Sequence, residues 1–366
     1  MANLEAYPLH GGQLRQIAQR FHIPISELLD FSANINPAGP PSSVLSTLRA
    51  SVNDPSTLTE YPDLQQTDLK QAVARYAGTS EKNVIVANGF VPLLEATLRT
   101  LKIRTCLLPV PAFVEYRKTL ERAGVEIVPH TLSAHSSFHY DPATMLAGQY
   151  DAVLLANPQN PSGVCHDAAS IRDLIASASA KSMYVLLDEA FIDYMPEHSL
   201  TTMIDQFPKL IIFRSATKFH GIPGLRVAYA ISNPTLSRAI SNNLAPWPIT
   251  TLAAHAVIAA LDDQAYATRS RSDNLVLRTA LHADLRSSGL TLYPSAANFI
   301  LFQLPPAIDP ELFWHHMIVD HRIVMRSCAN YEALPEGHLR GAVRTRTENN
   351  QLVAAVKSAL FKLQRD

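Results

Sequence analysis

The chain has 366 residues, 47% of them hydrophobic and 17% charged, with a formal net charge of -1. That length accommodates one large domain and a smaller one, and the composition suits a globular protein with a substantial core. The near-neutral balance offers no electrostatic footprint for nucleic acid or an anionic membrane, and no apolar run is long enough to span a bilayer. Met1-Ala-Asn-Leu-Glu-Ala-Tyr-Pro has neither a basic start nor a long apolar segment, so no signal peptide is expected. Cys106, Cys165 and Cys328 are far apart and odd in number. They point away from a disulfide framework or a zinc site and toward a reducing, cytoplasmic setting.

His10-Gly-Gly precedes a helical pattern in which Leu14, Ile17, Ala18 and Phe21 are apolar. Residues 29–41 are proline-rich and extended, because a residue before proline avoids the helical region. Helices are predicted over 41–48 and 64–76, the second with Asp63 as its N-cap. From residue 83 strands alternate with helices. The predicted strands are 83–87, 105–108, 125–128, 152–156, 183–187, 210–213 and 227–231. Helices are expected over 91–101, 113–123 and 167–178. This is a doubly wound α/β pattern with a mostly parallel sheet. A helix over 250–261 and a long helical stretch over 262–288, stopped by Gly289, lead into an α+β region. That region has predicted strands at 298–303, 322–325 and 339–343, with helices over 309–319 and 350–363. The expected organisation is an N-terminal segment, 1–40, packing with the small domain, a large domain over 41–250, and a small domain over 251–366.

Gly89, Asn160, Asp188 and Lys218 all fall at predicted strand ends, where open α/β sheets bind ligands. The apolar run Leu210-Ile-Ile-Phe213 leads into Ser215, Thr217 and Lys218, with Arg226 eight residues on. A lysine at the end of a core strand is partly desolvated, which lowers its pKa and makes it a candidate Schiff-base amine. Two hydroxyls and an arginine beside it suit a phosphate dianion. An aldehyde-binding lysine beside a phosphate cup describes a site for pyridoxal phosphate (PLP). The alternative is a solvated lysine after a strand. In a PLP site Asp188 would pair with the pyridine nitrogen; otherwise it caps a helix. Asn160 would donate to the phenolate oxygen, or simply serve a turn between two prolines. Gly89 with the N–H groups of Phe90 and Val91 would cradle the cofactor phosphate at a helix N-terminus. Phe113 would stack on the ring, or belong to the core.

Asn160-Pro-Ser-Gly, Asp188-Glu-Ala, Ser215-Ala-Thr-Lys218 and Gly224-Leu-Arg226 stand in an order and spacing that carry a resemblance. From His10 to the C-terminal helix the chain resembles the fold-type-I PLP enzymes of the aspartate aminotransferase superfamily. Within it, the chain resembles the threonine-phosphate decarboxylases of cobalamin biosynthesis, with histidinol-phosphate aminotransferases as near relatives. The stretches that carry this are His10-Gly-Gly, Asp30-Phe-Ser-Ala-Asn-Ile-Asn-Pro37, Tyr61-Pro-Asp63, Asp188-Glu-Ala-Phe-Ile-Asp193, Thr217-Lys-Phe219 with Ile222-Pro-Gly-Leu-Arg226, and Arg326-Ser-Cys-Ala-Asn-Tyr331.

The resemblance implies a homodimer in which Tyr61 reaches the cofactor phosphate of the neighbouring subunit. It implies that Arg340 grips the substrate carboxylate and that Arg326, with His10, binds the substrate's phosphate. Asn34 and Tyr331 would line the same pocket. Read as bare residues, Arg340 is a surface arginine at a strand start and His10 a helix cap. Histidinol-phosphate aminotransferases usually carry a tyrosine where this chain has Phe191, and decarboxylases of the group carry phenylalanine. The implied reaction is therefore decarboxylation of L-threonine O-3-phosphate, with phospho-amino-acid transamination as the rival. A ligand-binding regulator is not expected, because the resemblance begins near residue 10 and leaves no room for a DNA-binding domain. The chain departs from the decarboxylase pattern at Asn88-Gly-Phe-Val-Pro92, where a polar Gly-Glu-Thr is usual. His220 has no assigned role, and His135 and His139 read as loop residues rather than metal ligands.

Overall fold

The computed structural model describes residues 7–365. The reading of the first six residues as lacking a signal lies outside the described residues. Apolar runs with no polar alternation need cover on both faces, as in a parallel sheet flanked by helices. Seven strands form the main sheet, and all but the edge strand Glu126–Thr131 are such runs: β1 (Val84–Ala87), β2 (Thr105–Val110), β3 (Glu126–Thr131), β4 (Ala152–Ala156), β5 (Tyr184–Asp188), β6 (Leu210–Ser215) and β7 (Ala228–Ile231). Their spatial order is β1-β7-β6-β5-β4-β2-β3. Only β7 runs antiparallel to its neighbours β1 and β6. Every residue of β1, β4, β6 and β7 is buried.

A second sheet is antiparallel throughout, in the order β10-β11-β9-β8. Its strands are β8 (Thr291–Leu292), β9 (Phe299–Gln303), β10 (Arg326–Ser327) and β11 (His338–Ala342). The architecture is the expected one, a large, mostly parallel sheet and a smaller α+β unit. Ile17, Ile23 and Phe31 from the N-terminal segment share a core with Leu281, Phe302, Trp314 and Leu352. Gly11 lies so close to the Ser32 carbonyl that a Cβ would stand 2.0 Å from its oxygen. That close approach is what His10-Gly-Gly permits.

Several sequence expectations need correction. Asp63 does not cap a helix starting at residue 64. The helix is Thr67–Ala77, with Gln66 at the cap in a left-handed conformation. The Asp63 carboxylate instead closes a turn, accepting from the N–H groups of Gln65 and Thr67 at 2.9 and 2.6 Å. The single strand expected over 322–325 is two. Ile323–Val324 pairs with Leu29–Asp30, and β10 pairs with β11, so the chain changes partners at Met325. The two helices expected over 250–261 and 262–288 are present as Thr251–Asp262 and Gln264–Ser287, the second capped by the Asp263 side chain. The helix Pro234–Ser241 was not foreseen; Asn233 starts it, accepting from Thr235 and Leu236.

Candidate active site

The carboxyl ends of β4, β5 and β6 and the turn after β1 open into one cleft of about 500 Å³. Gly89, Phe90, Val91, Phe113, Asn160, Asp188, Ser215, Thr217, Lys218 and Arg226 all line it, as do His10, Asn34, Arg326, Tyr331 and Arg340. Tyr61 does not: it is 80% exposed and stacks on Trp247, ring centroids 4.7 Å apart.

Lys218 follows β6 by three residues and is half-buried. Its Nζ donates to Thr217 Oγ1 at 3.0 Å, and the hydroxyls of Thr217 and Ser215 lie 2.7 Å apart. Burial, then the positive charge of Arg226, lowers its pKa to about 8, although Asp188 pulls the other way. Asp188 ends β5 and is 7% exposed. It accepts from the Tyr116 hydroxyl and from the Ala190 N–H at 2.8 Å. Burial raises its pKa, against the effect of those two donors. Among the described residues no cation lies within ion-pair distance of this carboxylate. A buried anion in that state calls for a cationic partner from a ligand.

Gly89 has φ +93°, and a Cβ there would meet Arg226 Nη2 at 3.0 Å. The helix Phe90–Leu101 therefore presents its first N–H groups beside a guanidinium. That cradle, with the Ser215 and Thr217 hydroxyls, has the donor chemistry of a phosphate site. An aldehyde-reactive amine, a buried carboxylate lacking a cation and a phosphate cradle fit PLP.

Arg340 is buried within β11, so its reading as a surface arginine is overturned. Its guanidinium lies over the Phe299 ring, 5.0 Å from the centroid, and donates to Asn160 Oδ1. The Tyr331 hydroxyl is 3.4 Å from both Arg340 Nη1 and Asn160 Oδ1. Arg326 donates to the carbonyls of Pro8, Leu9 and Ser327 and to Asn330 Oδ1. It thus also fastens the N-terminal segment. His10 is not a helix cap, since the helix begins at Leu14. Its Nε2 lies 3.1 Å from Glu115 Oε1, and burial lowers its pKa while Glu115 raises it. Asn34 is buried with an Oδ1 that has no partner among the described residues.

Sequence reading missed Tyr116, Glu115 and Arg214. Arg214, one residue before Ser215, is buried with Asp193 and lies 3.9 Å from Glu189. It ties β6 to the loop after Asp188. Asp188-Glu-Ala-Phe-Ile-Asp193 held the signal, since two further acids on a predicted buried turn require a partner. His220 is packed among Tyr76, Phe219 and Tyr266, and burial lowers its pKa.

Residues 26–356 match the family model for aminotransferase class I and II. The chain belongs to this family. Its cofactor is PLP, and it is a PLP-dependent enzyme of the class. The chain is 31% identical over 359 residues to a threonine-phosphate decarboxylase of Salmonella typhimurium, covering 96% of each. It is 30% identical over 361 residues to a histidinol-phosphate aminotransferase of Oleidesulfovibrio alaskensis, covering 96% of this chain and 91% of that one. A histidinol-phosphate aminotransferase of Sinorhizobium meliloti, crystallised in complex with pyridoxal-5'-phosphate, has the same fold. The TM-score is 0.84 at 24% identity, covering 99% of this chain and 98% of that one. No helix among the described residues is long and apolar enough to cross a membrane.

Proposed function

We propose that the protein decarboxylates L-threonine O-3-phosphate to (R)-1-amino-2-propanol O-2-phosphate and carbon dioxide, in the cytoplasm, as a step of cobalamin biosynthesis. The observation that carries this reading is Phe191. It lines the cleft three residues after Asp188, buried, with its ring edge-on to Phe299 at 5.0 Å. It presents no hydroxyl where histidinol-phosphate aminotransferases usually have one. The Salmonella relative supports the same reading.

Bound PLP supplies an electron sink for the pair released at the substrate Cα. Asp188 keeps the ring nitrogen protonated. Asn160 uses its amide N–H on the ring oxygen, its Oδ1 being taken by Arg340. Gly89, Phe90, Val91, Ser215, Thr217 and Arg226 hold the cofactor phosphate, and Phe113 faces the ring. Arg340, braced by Asn160 and Phe299, would hold and orient the substrate carboxylate for cleavage of its bond to Cα. The apolar side chain of Phe191, backed by Phe299, favours conversion of the carboxylate into neutral carbon dioxide, its bonding electron pair staying at Cα. Lys218, with a pKa of about 8, carries the proton that returns to Cα. Arg326 and His10 bind the substrate phosphate, with Asn34 and Tyr331 beside them; the phosphate displaces carbonyls that Arg326 now engages. We also propose a homodimer in which Tyr61 of each subunit reaches the other's cofactor phosphate. Its exposure and its absence from the lining of its own cleft support that. The division at 40/41 and 250/251 belongs to the same reading.

The second reading is a histidinol-phosphate aminotransferase or related phospho-amino-acid transaminase, favoured by a relative of that kind at nearly equal identity. The test is a substrate comparison on PLP-loaded protein. Threonine phosphate is followed for carbon dioxide, and histidinol phosphate with 2-oxoglutarate for glutamate. Carbon dioxide without glutamate supports the decarboxylase, and glutamate without carbon dioxide overturns it.

A further inference from the structure

Asp188 must stay ionised and correctly turned to hold a protonated ring nitrogen, yet burial alone pushes it toward the neutral acid. Two donors oppose that. The Ala190 N–H is fixed by the backbone and fills Oδ1. The other is Tyr116, on the helix Val114–Arg122, whose hydroxyl donates to Oδ2. Tyr116 is 2% exposed, and its ring is held between two aromatic residues of the cleft wall. Phe113 meets it edge-on at 5.6 Å, with an interplanar angle of 89°. Phe90 lies 5.5 Å away and also meets Phe213 of β6 at 5.4 Å. Phe90 is one of the residues at which the chain departs from the polar decarboxylase pattern. In its place it supplies a packing face for Tyr116.

We propose that Tyr116 is a positioning residue for Asp188. Its hydroxyl sets the carboxylate's orientation and favours the ionised form, and Phe90 and Phe113 fix the hydroxyl. This rests on the reading of Asp188 as the partner of the ring nitrogen. A hydrogen bond from a neutral donor to a buried carboxylate stabilises the anion, and losing it leaves an acceptor unpaired in a low-dielectric site. The consequence is selective. Tyr116 matters for a ring that carries a proton at its nitrogen, and not for a ring that cannot.

The test measures dissociation constants of apoprotein for PLP and for its analogue with C–H in place of the ring nitrogen, by fluorescence titration. The quantity read is the ratio of the two constants. Tyr116→Phe is expected to reduce the wild-type preference for PLP by about tenfold, the equivalent of one hydrogen bond of ordinary strength. Asp188→Asn, the control, is expected to abolish the preference. Phe90→Ala should reduce it less than Tyr116→Phe. Equal weakening of both ligands in Tyr116→Phe marks a purely structural tyrosine and overturns the proposal. So does an unchanged ratio in Tyr116→Phe while Asp188→Asn loses it. An unchanged ratio in Asp188→Asn overturns the Asp188 reading and the proposal with it.

Discussion

In protein stripped of cofactor, the Lys218 amine should titrate near pH 8. Burial and the cationic Arg226 and Arg340 disfavour its ammonium form, and only Asp188 favours it. At pH 8 such an amine is half neutral, whereas an ordinary lysine is about 0.3% neutral, a difference of roughly 150-fold in reactive amine. The sign of each neighbour can be tested separately. Arg226→Gln removes a repelling cation and should move the inflection upward. Asp188→Asn removes an attracting anion and should move it downward. The assay is site-resolved: brief acetylation of apoprotein between pH 6 and 11, with Lys218 read by peptide mass spectrometry against a surface lysine. A Lys218 inflection in the ordinary lysine range, or one that neither substitution moves, refutes the electrostatic account.

Three further outcomes are expected. Gly89→Ala forces a Cβ into a φ of +93° and against Arg226. It should cost about 1 kcal/mol or more of apoprotein stability and weaken PLP in equilibrium dialysis; unchanged affinity would show that the cradle does not hold the phosphate. Arg214→Leu strips Asp193 and Glu189 of their buried cation. It should cost about 3–5 kcal/mol in urea unfolding, and a midpoint equal to wild type would contradict it. Tyr61→Phe should leave each subunit's fold intact and weaken PLP by up to about tenfold, one hydrogen bond's worth. No change in affinity would remove Tyr61 from the neighbouring site.

The local sequence determined the alternation of strands and helices, because buried parallel strands are written as unbroken apolar runs bounded by turns. It also placed Gly89, Asn160, Asp188 and Lys218 at strand ends, since polar and glycine residues directly after such runs have few other places to go. Helix starts were less legible. Asp63 carries the residue type of a cap but closes a turn instead, and Asn233 starts a helix that no strong apolar period announced. The partner change at Met325 depends on which strand lies alongside, which no local pattern records. The same holds for the site's support. Tyr116 lies 72 positions from Asp188, and Arg340 lies 180 from Asn160. Such pairs are made by the crossing of sheet and helix. Burial, which sets the pKa directions of Asp188 and Lys218 and turns Arg340 inward, is a property of the packed whole.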